Sequence, residues 1–533
     1  MLNDDLILEN EKLKQLLEGK NSIIDEKEAV IRALTARVSL LEILHFGPKS
    51  EKWTKHDDQQ ARLFNEAEDE AFKQNDSDQQ KAVVETIELN AHTRRKRKPQ
   101  GQGRKPISPD LPREEVIYDL AEEEKKCACG CEKTNIGEEI SERVKIIPAE
   151  IKVLREKKLK YVCKNCEGIE ADEPGVVTAK GIKHLIPGSM ADESMIAWSI
   201  AEKYAFALPL YRQVLRLKYI GLPISRATLS NIAIKAALKC NKLYDLLEDH
   251  IKSWPFINAD ETRLQVLKES GRRAQSLSWM WVFLGGPPGK KAVIFQYDEK
   301  RSSVVPKEFF KDYSGWIQTD DYSSYHAAFK ELNKNRPPDK KIRHILCWQH
   351  SRSWFHKSWI SEKSEHAKKA IKYIRDLFAL EELRTQYSKR GFYKQRKNQA
   401  TLIFDEFKPW LEKLYAATLP QSNLGKAIRY TLDNWELLIL YIEDPILTPS
   451  NNLAENAIRP FVIGRKNWLF CNTPNGAHAS ATLYSLIESA KLNNLVPYDY
   501  LYYIFKKLPY AETEQDYIDL LPFNLTADEI STK

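Results

Sequence analysis

Between Phe256 and His350 the chain carries five short apolar runs in close succession: FINADETRLQVL, SWMWVFLGG, KAVIFQYDE, WIQTDDYSSY and IRHILCWQH. They are rich in Val, Ile, Phe and Trp and are separated by turns and one helix-like segment, SSVVPKEFFKDY. Runs of this kind read as strands, and together with that helix they predict a mixed α/β sheet. The flanks read differently. Ser189 to Asp249 is helical in pattern throughout, and from Ser361 to Asp444 the spacing turns helical and amphipathic again, as in HAKKAIKYIRDLFALEELRTQY. Two more helices are expected within GAHASATLYSLIESAKLNNLVPYDYLYYIFKKL. A chain of 533 residues is too long for one ordinary core, and 42% hydrophobic residues with 12 Trp can fill several. The expected fold class is multidomain α and α/β.

The first third reads as a string of modules. Leu6, Leu13, Leu34 and Leu41 fall on one seam of a heptad and Leu17, Ile24, Ile31 and Val38 on the other, so residues 1–45 are read as a coiled coil that self-associates, at least as a dimer. Residues 46–92, rich in Asp, Glu and Gln, read as a linker. The segment 93–114 then reverses the charge: Arg94, Arg95, Lys96, Arg97, Lys98, Arg104 and Lys105 cluster around Pro and Gly, which cannot build a core but can follow a phosphate backbone. A net charge of +7 is modest for the length, so this arrangement of bases says more than the total. The N-terminus lacks the basic start and apolar run of a signal peptide, and no stretch approaches the ~20 apolar residues that span a bilayer, which predicts a soluble cytoplasmic protein without a membrane partner.

Five of the eight cysteines crowd into residues 115–175, which suits a local metal site better than a disulfide framework. Cys163 and Cys166 form a C-x-x-C knuckle, and Cys127 with Cys131 supplies the other pair, with Cys129 as a rival ligand. Four thiolates leave no open position, so the zinc is structural. Residues 176–250 read as a helix–turn–helix-like DNA-binding domain: Ser225 caps a helix that would carry Arg226, Thr228, Ser230 and Asn231 into a major groove.

Two strands are expected to end in acids, Asp260 after FINA and Asp320 after GWIQT. Acids at strand ends project from a sheet edge, where α/β folds place their active sites, although each is also an ordinary turn former. A third acid, Glu455, lies in the first turn of a helix expected after Pro449, whose positive end favours its ionised form. Three carboxylates suffice for two hard cations serving a phosphoryl displacement. The plainer reading stands beside it: Asn452 to Glu455 resembles a capping box, and Glu455 with Arg459 an i, i+4 pair. Cys347 and His350 form a C-x-x-H element, read as packing support for the sheet with only two ligands in view.

An ordered series of segments resembles the bacterial insertion sequence 66 transposases: GRKPISPDLPREE, IGEEISERV, KYVCKNC, KYAFALPLYRQ, NADET, IQTDDYSSY, CWQHSRSWFHK, NNLAENAIRPFVIGRKNWLF and LYSLIESAKLN. The resemblance runs from HFGPKSEKW nearly to the end of the chain. It implies a DD-E enzyme with a ribonuclease H-like core that binds transposon ends and cleaves and transfers DNA strands. It places the catalytic and metal-holding acids on Asp260, Asp320 and Glu455, with two Mg2+ or Mn2+ ions per site, and puts Arg459, Arg465 and Lys466 beside them on DNA. The core is then split into residues 251–360 and 448–495 by a helical insertion, 361–447, and followed by a helical segment, 496–533. Double-stranded DNA, both transposon end and target, is the implied partner, with companion proteins of the same element implied beside it, and the implied setting is the cytoplasm and nucleoid of a bacterium. Two departures matter: Thr319-Asp320-Asp321-Tyr322 stands where the family has TDGY, making Asp321 a rival, and the first cysteine cluster is unusual. An inactive DNA-binding relic and a metal nuclease that cuts without joining are the alternative functions.

Overall fold

The computed structural model describes residues 151–162 and 176–531, with Lys20, Lys27 and Ile31 as single positions. The remainder of the expected coiled coil, the linker, the basic segment from Arg94 to Lys105, and the zinc ligands Cys127, Cys129, Cys131, Cys163 and Cys166 lie outside the described residues. The chain divides into two compact units, 78–179 and the rest. In the smaller, β1 (Lys160–Val162) pairs antiparallel with β2 (Val176–Thr178), Tyr161 opposite Val177.

From residue 180 onward the larger unit carries four helices before its sheet, α1 (Glu193–Tyr204), α2 (Leu210–Tyr219), α3 (Arg226–Lys239) and α4 (Asn241–Ser253). Ser225 caps α3 as expected, its Oγ accepting the Thr228 N–H at 3.0 Å. All five apolar runs form strands: β3 (Phe256–Gln265), β4 (Leu277–Gly285), β5 (Ala292–Asp298), β6 (Gly315–Thr319) and β7 (Ile342–Leu346). They make one sheet in the order β5-β4-β3-β6-β7. β3, β4 and β5 are an antiparallel meander, whereas β6 and β7 add in parallel on the far side of β3. Parallel pairing requires crossovers; α5 (Val304–Phe309) precedes β6, and α6 (Ser323–Asn333) leads to β7.

β4 and β5 give all their buried hydrophobic residues to one apolar cluster, whereas β3 and β6 are buried on both faces and divide the core in two. Ile257, Ala259 and Ile317 enter one apolar cluster with α1, α3 and α4, while Phe256 and Trp316 enter a second with the helices that follow β7. Those helices are α7 (Trp348–Glu362), α8 (Glu365–Ala379), α9 (Lys389–Ala416), α10 (Asn423–Asp433) and α11 (Trp435–Ile439). The helical stretch therefore opens at Trp348 rather than at residue 361, because α7 packs with α8 and α10.

The chain returns to the sheet through α12 (Asn452–Trp468), and α13 (Pro474–Leu492) and α14 (Pro497–Lys507) complete the first cluster. α13 covers the edge strand β5: the Val293 and Phe295 N–H groups donate to Ser489 Oγ at 3.0 Å and Ser485 Oγ at 2.8 Å. Edge donors that would otherwise recruit another strand are thereby satisfied. Among the described residues, no helix is long and apolar enough to cross a membrane.

Candidate active site

The parallel ladder of β3 and β6 sets Phe256 beside Trp316, Ile257 beside Ile317 and Asn258 beside Gln318. Carried two residues further, that register brings Asp260 level with Asp320, and the period of two puts both on the face of Asn258 and Gln318. Asp320 directly follows the last residue of β6, as expected. Asp260 does not end its strand: β3 continues to Gln265 because β4 pairs with it along that whole length. What ends near Asp260 is the pairing with β6.

Glu455 arrives from 135 residues beyond Asp320, and a buried amide network brings it in. Asn258 Nδ2 donates to Gln318 Oε1 and to Asn451 Oδ1, each at 3.0 Å. Asn451 Nδ2 donates to the Ala259 carbonyl at 2.9 Å, and Gln318 Nε2 to the Thr448 carbonyl at 2.8 Å. The Trp348 N–H adds a bond to the Pro449 carbonyl at 2.8 Å. Asn258, Gln318 and Asn451 are all buried, so these bonds are made in a low dielectric and are costly to lose. The expected capping box is absent for this reason: Asn451, not Asn452, is the N-cap of α12, and its side chain grips the sheet instead of the helix.

Farther back, Arg396 on α9 is fully buried and donates to the carbonyls of Tyr441, Asp444 and Leu447, fixing the loop that delivers Thr448.

The acids feel one another. Burial raises the Asp260 carboxyl well above the usual range, and the charges of Glu261, Asp320 and Glu455 add to that rise. Glu261 is also raised, by burial and then by Asp320, against hydrogen bonds from Tyr325 and Arg301. Arg301 forms an ion pair with Glu261 and lies over the Tyr322 ring at 3.5 Å. Glu455 Oε1 is buried without a hydrogen-bond partner. Clustered carboxylates with an unsatisfied oxygen suit a hard divalent cation, which takes oxygen ligands and cancels their repulsion. Asp260, with the Asp320 and Glu455 charges acting on it, is the carboxyl whose burial such an ion would relieve.

The rival aspartate is committed elsewhere. Asp321 accepts from His326 Nε2 at 2.9 Å and Asn434 Nδ2 at 2.8 Å, and although burial alone would raise its carboxyl, these bonds hold it below the usual range. Among the bases, Lys466 is exposed, Arg459 is half-buried and Arg226 is exposed at the start of α3. Arg465 differs from expectation: its guanidinium donates to Thr262 Oγ1 at 3.1 Å and to the Arg263 carbonyl, tying α12 to β3. Glu261, Arg301 and the amide network were missed from sequence. The amides left a signal, since Asn258 and Gln318 each interrupt an apolar strand two residues before an acid.

The family profile described as "Transposase IS66 family" matches residues 188–479. Those described as "Transposase C of IS166 homeodomain", "zinc-finger binding domain of transposase IS66" and "IS66 C-terminal element" match 33–116, 124–167 and 485–523. Two uncharacterized proteins of Sinorhizobium fredii are similar over most of their lengths. One, y4jD, is 30% identical over 79% of this chain and 81% of its own; the other, y4qI, is 29% identical over 78% and 77%. With one profile spanning more than half of the chain and three others matching in order around it, the chain belongs to the IS66 transposase family.

Proposed function

We propose that this protein is a metal-dependent DNA transposase whose ribonuclease H-like core cuts transposon ends and joins the freed strands to target DNA. What supports the reading is that Asp320 and Glu455, from distant parts of the chain, come near enough to Asp260 for their charges to act on its buried carboxyl. The strand order, an antiparallel meander with two parallel strands added beside the first, supports the same reading. Magnesium or manganese, two ions held by Asp260, Asp320 and Glu455, would ionise water and offset charge on the phosphate.

The chain's own residues do the positioning. The Asn258–Gln318–Asn451 network holds Glu455 against the two aspartates, and Arg301 offsets the neighbouring Glu261 charge. Arg459 and Lys466 are assigned to DNA phosphates, with Arg465 orienting the helix that carries them. In cleavage, water adds to one phosphorus at each end and a 3′ hydroxyl leaves; that hydroxyl then attacks a target phosphodiester in line. Arg226 and its helix, the basic segment and the zinc module are assigned to end recognition. The coiled coil is assigned to pairing two protomers, so that both ends are cut together.

The test is incubation of the full-length protein with a transposon-end duplex and magnesium. Nicking followed by joining to a second duplex is expected. Nicking alone would make it a nuclease, and binding without nicking a DNA-binding relic.

A further inference from the structure

Where β7 hands over to α7, a second ligand set abuts the carboxylate cluster. Cys347 is the N-cap of α7 and His350 stands in its first turn. The side-chain ligand atoms of Cys347, His350 and Glu455 all lie within 4.8 Å of one another. Sequence alone offers only the first two; the fold supplies the third. Cys347 is fully buried, and its Sγ accepts the Asn451 N–H at 3.1 Å. His350 Nδ1 and Glu455 Oε1 are both buried and without hydrogen-bond partners. Buried polar atoms are rarely left so, because an unsatisfied one loses its hydration without gaining a partner. Two in one group of three potential ligands call for a partner that accepts lone pairs.

We propose that Cys347, His350 and Glu455 form a zinc site, separate from the hard-cation cluster and sharing one residue with it. Sulfur, imidazole nitrogen and carboxylate oxygen are all zinc ligands, and three of them leave a fourth position open, unlike a closed structural knuckle. Magnesium is excluded by the sulfur, since it is bound through oxygen. A thiolate and a carboxylate together balance the charge of a zinc ion, which suits a buried position. Because Glu455 belongs to both sets, zinc here competes with the proposed cleavage chemistry; that consequence rests on the transposase reading, whereas the binding does not.

The experiment counts metal on the full-length protein after zinc loading and dialysis. Wild type is expected to hold one equivalent per chain more than Cys347→Ser or His350→Gln, and Glu455→Gln to bind that equivalent at least tenfold more weakly. Cys240→Ser, which alters a buried cysteine elsewhere, keeps the wild-type count, as does Asp260→Asn. Cobalt(II) substitution provides a second readout: Cys347→Ser loses a sulfur-to-cobalt absorption band that Cys240→Ser retains. Equal zinc counts in wild type, Cys347→Ser and His350→Gln overturn the proposal. Loss of the equivalent in Asp260→Asn with retention in Cys347→Ser overturns it too, by moving the ion to the carboxylate cluster. Neither readout depends on DNA cleavage, so the failure of one reading is distinguishable from the failure of the other.

Discussion

Asn451 accepts a hydrogen bond from the Asn258 side chain at 3.0 Å and returns one to the next residue's carbonyl, so one amide fastens the Glu455 helix to the Asp260 strand. Asn451→Ala removes one hydrogen bond from each of two buried partners, Asn258 keeping its bond to Gln318, and is expected to cost about 1–3 kcal/mol in urea unfolding. A misplacement of Glu455 by about 1 Å lowers nicking on the order of 100-fold. Gel-shift affinity for the end duplex stays at the wild-type level.

Asp320 and Asp321 are neighbours with different surroundings, one whose charge acts on Asp260 and one held by His326 and Asn434. Asp320→Asn is expected to abolish nicking. Asp321→Asn retains it within about tenfold and loses about 1 kcal/mol of stability, the worth of the bonds it weakens. Nicking and melting measured on the same two preparations decide the assignment, and the reverse pattern would refute it.

The raised Asp260 carboxyl has a consequence for metal-free protein. Its folded form binds the proton more tightly than the unfolded chain, so its contribution is complete below the ordinary carboxylate range and is lost as pH climbs through the raised value. With chelator present, Tm is expected to fall, as pH rises above the ordinary carboxylate range, more steeply in wild type than in Asp260→Asn. At neutral pH the variant melts higher, on the order of 2 °C. Magnesium raises wild type more than the variant. Scanning calorimetry with and without chelator measures all three.

Arg396 is fully buried and bonded to three backbone carbonyls. Arg396→Ala strands those acceptors and is expected to destabilise by about 3–5 kcal/mol. Chemical denaturation gives the loss directly. Nicking falls along with it, since the loop before Thr448 is no longer held.

A Cβ on Gly464 would sit 2.5 Å from Tyr484 Oη and 2.9 Å from Trp468 Nε1, both on ring systems packed in or against the first core cluster. Gly464→Ala is therefore expected to destabilise by about 1–3 kcal/mol through overpacking, against the usual helix-favouring effect of alanine. Thermal melting of the variant checks the sign.

The five strands were legible because each is a short run dense in β-branched and aromatic residues, bounded by turns and buried in the core. Asp320 was legible as a strand-end acid for the same reason. The extent of β3 beyond Asp260 was not, since TRLQ reads as a polar exit until β4 is known to pair with it. The capping box failed because a sequence shows which side chains can cap, but not which are needed elsewhere: Asn451 had a better use on the sheet. Glu261 and Arg301 were hidden by their 40-residue separation, which only the meander closes. The coming together of Cys347, His350 and Glu455 was invisible for a similar reason, more than 100 residues lying between the pair and the third ligand.

The 135 residues between Asp320 and Glu455 also act as a clock. At roughly 5–20 residues per second, a ribosome that has made both aspartates needs about 7–27 s more to reach the glutamate. Helices α7 to α11 are made in that interval, and α13, which closes the β5 edge, is made after it. A nascent chain or an early-terminated product thus carries two acids on an unfinished sheet and cannot assemble the three-acid cluster. Competence arrives with the last fifth of the polypeptide, after the chain has left behind the segments that would recognise DNA.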